Sequence, residues 1–151
     1  MARPSSLAFR ALDAQVIAGR ADDIALVDDA GELSVAHLLH ESAVIAGAWR
    51  LLGLAEGDGL RIEADGRYRV IAVLAALRRQ LDCAAPGPAS LTGRPPVAAI
   101  GGEEIPWDAL VRLGRTDPLP APLADAPHVT AWAREYGDVI EPLLAGTAIG
   151  L

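Results

Sequence analysis

The 151-residue chain contains no lysine and no asparagine, and only one cysteine, one methionine and one phenylalanine. All thirteen basic residues are arginine, so chemistry that needs an amine side chain is excluded for these residues. With Cys83 alone there is no intramolecular disulfide, which fits a reducing compartment. Cys83 is flanked by Asp82 and Ala84, and a buried, inert thiol is expected rather than a nucleophile, which would need a cationic neighbour. No run reaches about 18 uninterrupted apolar residues, and no apolar leader follows Met1, so the expectation is a cytoplasmic protein without a membrane partner. Positive charge is also scarce. Twenty acidic residues against thirteen basic ones give a net charge of −7, which argues against nucleic acid or an anionic membrane as partner. Signature motifs are missing as well: there is no zinc or calcium spacing, no nucleophile elbow and no dinucleotide fingerprint. Gly101-Gly102 and the glycines Gly146 and Gly150 are too sparse to cradle a phosphate. The sequence therefore nominates no catalytic, cofactor-binding or metal residue, and no cofactor.

What is present is helical and strand periodicity. Ser5 or Ser6 can cap a first helix whose apolar residues Phe9, Leu12 and Val16 share a face, with Gly19 placed to end it. Ile24 to Asp28 reads as a strand, Asp29-Ala30-Gly31 as a hairpin turn and Glu32 to Val35 as the return strand. From Val35 to Leu52 one helical face carries Val35, Leu38, Leu39, Ser42, Ile45, Ala46, Trp49 and Leu52, with His37, Glu41 and Arg50 opposite. Gly53 to Asp58 then forms the turn into a short strand, Leu60 to Ala64. A helix from Arg67 to Gln80 follows, and Leu81 to Ala85 returns as a strand parallel to the first. Val70 to Leu77 is apolar all round, which predicts a helix covered on several sides.

At Pro86 the composition changes, for ten of the eleven prolines lie from there onward. Residues 86–96 and 114–127 read as turn-rich connections. Between them Val97 to Ile100 reads as a strand, Gly101-Gly102 as a turn, and Glu104 to Leu110 as a strand end leading into a helix. This echoes Ile24 to Leu39 at an offset of 72 residues, as a recurring device or as a duplication. The tail carries a helical stripe of Val129, Trp132, Tyr136, Ile140 and Leu143, weakened by Gly137 and Pro142. The expected fold is α/β of three-layer type, with a small, partly parallel sheet flanked by helices and an N-terminal β-hairpin. Ile24 to Val27, Leu60 to Ala64 and Cys83 to Ala85 are expected in one sheet. Residues 1–88 form the α/β unit, and 89–151 a proline-rich extension packed on the same domain.

The polar candidates have simple readings. His37, His40 and Glu41 share a turn, yet His40 lies about 60° around the helix from His37 and no third ligand is near, so a solvated helix face is expected. His128 stands apart. The acid pairs Asp22-Asp23, Asp28-Asp29 and Glu103-Glu104 fall at predicted turns, where carboxylates accept local backbone hydrogen bonds.

The order of motifs resembles a known family. Ala25-Leu26-Val27-Asp28, then Gly31-Glu32-Leu33-Ser34-Val35-Ala36-His37-Leu38, then Leu51-Leu52-Gly53-Leu54-Ala55-Glu56-Gly57-Asp58, and Ile71 to Leu77 through Ala84-Ala85-Pro86 are similar to the N-terminal end of the AMP-forming acyl-activating enzymes. That superfamily comprises acyl-CoA synthetases, luciferases and peptide-synthetase adenylation domains. The match runs from about residue 9 to 88, with Gly31, Gly53, Gly57, Asp58 and Pro86 as its structural signature. It departs at Leu60, at Asp65-Gly66-Arg67, and at Gln80-Leu81-Asp82, which lacks the glycine expected before the last strand. The family's Ser/Thr/Gly-rich phosphate loop, its later aromatic-Gly-x-Thr-Glu segment and both of its characteristic lysines have no counterpart in these residues. In the family the matching segment is mainly scaffold, so the resemblance implies fold and ancestry and transfers no catalytic residue.

Three readings of function follow. The first is a truncated, catalytically incomplete relative of an acyl-CoA synthetase that acts as a binding or assembly module. The second is a split subunit that completes an adenylate-forming enzyme with another chain, and the third an unrelated small enzyme. A homodimer or a synthetase-like partner is expected to hide the helix Val70 to Leu77. Alternatively, Trp107, Trp132 and the tail helix fold back as its cover.

Overall fold

A computed structural model describes residues 4–83 and 87–151. Ser6 starts the chain's first helical segment, its Oγ accepting from the Phe9 amide at 3.2 Å. The segment is wound wide, as π-helix over Phe9–Asp13 and Val16–Arg20. Gly19, at φ 88°, takes the left-handed conformation expected at its end.

Strands β1 (Ile24–Asp28) and β2 (Gly31–Ser34) form the expected hairpin. Ser34 then caps helix α1 (Val35–Leu51) by accepting from the His37 amide at 3.1 Å. Beyond the turn through Gly53 and Gly57 come β3 (Leu60–Glu63) and α2 (Gly66–Arg79). The chain continues through β4 (Ala89–Gly93), β5 (Pro96–Ile100), β6 (Glu103–Pro106) and α3 (Trp107–Gly114). A strap over 115–126 leads to α4 (Thr130–Glu135), α5 (Gly137–Leu144) and the short β7 (Ile149–Gly150). The class is α/β, with partly parallel sheets flanked by helices.

The strands do not share one sheet as expected. β2-β1-β7 form one sheet, with β7 parallel to β1, and β3-β4-β5-β6 form the other. β7 returns from the far end of the chain to take the open edge of β1, which leaves β3 to pair elsewhere. Its parallel neighbour is β4, inside a stretch that proline content had marked as a connection. Pro88, Pro95 and Pro96 bracket β4 and the first residue of β5 rather than interrupting a ladder, where a missing amide would cost a hydrogen bond. The strand expected at Leu81 to Ala85 is seen at its beginning, where Asp82 bridges Gly59 in parallel. Ala84, Ala85 and the signature Pro86 lie outside the described residues.

The 72-residue echo is structural. β1, β2 and α1 begin at 24, 31 and 35, and β5, β6 and α3 at 96, 103 and 107, so each start is shifted by 72. The copies differ at their helix caps, since Ser34 caps α1 and its counterpart Pro106 makes no side-chain cap.

Two helices form the centre. α2 is buried at every position from Val70 to Arg78, as its all-round apolarity predicts. α1 is buried from Ser42 to Trp49, which its amphipathic pattern did not announce. Its small residues explain this, because Ala43, Ala46, Gly47 and Ala48 let neighbouring backbone approach closely. A Cβ on Gly47 would overlap the Asp117 carbonyl, and one on Gly114 of α3 would overlap the Val44 carbonyl. The strap closes over the same place, the Leu119 amide donating to the Ala43 carbonyl at 2.9 Å.

The tail covers α2 from within the chain. Its stripe is split into α4 and α5 at Tyr136-Gly137, and α5 packs on α2. Trp132 is fully buried and donates from Nε1 to the Leu81 carbonyl at 2.7 Å, while Trp107 meets Tyr68 edge-on at 5.2 Å. Val70 to Leu77, the stretch on which the partner expectation rested, is buried within the single chain.

Candidate functional site

The signature residues serve backbone geometry. Gly31, Gly53 and Gly57 all have positive φ, at 124°, 91° and 88°, which side-chain-bearing residues rarely adopt. Asp58 stabilises the crossover turn by accepting from the Ala55 amide at 2.8 Å. In Gln80-Leu81-Asp82, the segment without the glycine that the resemblance leads one to expect, Gln80 takes a glycine-like φ of 58°. Such a conformation costs a non-glycine residue about 1 kcal/mol or more, and hydrogen bonds to the tail offset it. The Gln80 side chain accepts from the Ala126 amide at 2.6 Å, and its carbonyl accepts from the Gly57 amide at 2.9 Å and meets His128 Nε2 at 2.7 Å.

The histidines are not brought together. His37 faces Glu41 at 3.4 Å along one helix face, and His128 is engaged with Gln80. Among the described residues, no group of three His, Cys, Asp or Glu side chains is placed to hold a metal ion. Cys83 is half-buried, and burial, with Asp82 next in effect, raises its thiol pKa, the opposite of nucleophile activation. Glu103 and Glu104 lie in β6 rather than in a turn. Asp28 does both turn and tertiary work, accepting from the Ala30 amide at 3.0 Å and pairing with Arg67.

An open cleft of about 420 Å³ lies between the β1–β2 turn and the start of α2, lined by Asp28, Asp29, Asp65, Gly66, Arg94 and Leu151. Its charges are already matched to one another. Arg67 grips Asp28 with two bonds of 2.5 and 2.7 Å, and Arg94 reaches Asp29 at 3.2 Å and Asp65 at 3.7 Å. The hydrogen bond from Arg67 lowers the Asp28 pKa from 3.8 to about 2, so this carboxylate is a poor base. These pairs join residues 29, 39 or 65 positions apart, and no sequence spacing announces them.

Because the folded pKa of Asp28 lies below its unfolded value, the pair adds stability that is fully present above pH 3.8 and is lost as pH falls toward 2. Urea titrations across that range should show the loss in the parent and a flatter profile in Asp28→Asn. Equal slopes would mean that the Arg67 pair contributes nothing.

No family model matches the chain, and the search of curated proteins finds no match. Solved structures do match. A benzoate CoA ligase from Burkholderia xenovorans LB400 is 23% identical, over 52% of this chain and 16% of that one, with a TM-score of 0.48. An artificially fused adenylation-PCP di-domain from Klebsiella oxytoca is 16% identical, over 53% and 15%, with a TM-score of 0.47. An anthranilate CoA ligase in complex with anthranoyl-AMP is 14% identical, over 54% and 16%, with a TM-score of 0.48. The chain therefore spans about one sixth of the length of these structures. Two of them are CoA ligases and the third is an adenylation-PCP di-domain.

Proposed function

We propose that this chain is a catalytically incomplete relative of the adenylate-forming enzymes that works as a binding or assembly module. The observation that carries the reading is the closure of the family-like unit by its own tail. α2, its central helix, is buried from Val70 to Arg78 against α1, α5 and the sheets, which leaves little of that stretch as an open face for a larger catalytic domain. A split subunit would need such a face, and the buried α2 weighs against that alternative. The residue inventory supports the same reading. Adenylation stabilises a pentacovalent phosphorus with cations and aligned amides, and the amines that the resembled family brings to it cannot come from a sequence without lysine. In the open charged cleft, the lining Arg94 is paired with Asp29 and the lining Asp28 with Arg67. The partners proposed are proteins, a synthetase-like chain among them.

Exchange of labelled pyrophosphate into ATP, run with a panel of aliphatic and aromatic carboxylates, tests the proposal. The purified chain should give no carboxylate-dependent exchange above a heat-killed control. Exchange that depends on the carboxylate would overturn it.

A further inference from the structure

We draw no further inference here: the strongest candidate, the outward face of the four-stranded sheet β3-β4-β5-β6, has its cation Arg61 already paired with Glu63, and nothing among the described residues shows what covers it.

Discussion

Replacing Trp132 with alanine is expected to cost about 4 kcal/mol, the largest single loss among the substitutions considered. The indole is fully buried, packs against Tyr136 at 5.2 Å between centroids, and donates to the Leu81 carbonyl at 2.7 Å. Its removal opens a cavity between the tail and the end of α2 and leaves a carbonyl without its indole donor. Tyr136 and its neighbours cannot easily collapse into the gap. Arg69 stacks over the Tyr136 ring at 4.9 Å while paired with Asp138 at 2.7 Å, which pins that side of the tail. With domain stabilities of about 5–15 kcal/mol, the alanine variant should be poorly folded or show a greatly lowered urea midpoint. Trp132→Phe keeps most of the volume and loses the hydrogen bond, and should cost about 1 kcal/mol from that bond. A near-neutral Trp132→Ala would mean that the tail is not the cover of α2.

Asp13→Ala is expected to cost about 3 kcal/mol, more than removing the arginine it serves. Arg78 has a side chain only 2% exposed, and it bonds Asp13 through both terminal nitrogens at 2.7 and 3.1 Å and the Leu119 carbonyl through Nε at 3.0 Å. It ties the N-terminal helix, α2 and the strap to one point. Without Asp13 the guanidinium stays buried with its charge unmatched. Arg78→Met removes the charge and refills the channel with an apolar chain, and Asp13, at 22% exposure, can be hydrated, so this variant should lose only about 1 kcal/mol. Urea denaturation of the two variants reads the order. The reverse order would show that the strap is held by something other than this clamp.

The elements of the first 80 residues were legible because their signals are local. A hairpin, a serine cap, a glycine-led crossover and an apolar helix each depend on residues within a few positions of one another. α1 shows where that reading stops, since its amphipathic stripe marks the Leu38, Ile45 and Trp49 side as buried and leaves Ala43, Val44 and Gly47 undecided. Small residues report only that something can come close. Asp117 and Gly114, about 70 positions away, decide that something does. The candidate cleft was less legible still, because Asp28–Arg67 and Asp29–Arg94 are made by bringing three turns together.

By itself, then, the sequence determined the class of the fold, the order of the elements from the first hairpin to α2, the helix that must be covered on all sides, and the absence of lysine chemistry. Periodicity and residue inventory are properties of short stretches and need no partner to be read. Only the tertiary structure decided which strands share a sheet, for a β-strand's own pattern says which face is buried and not which neighbour takes its edge. β7 reaches β1 across more than 100 residues, and that pairing separates β1 from β3. Tertiary structure also decided what covers α2, because burial requires only an apolar surface opposite, and the tail supplies one by bonding its indole and its Ala126 amide to Leu81 and Gln80.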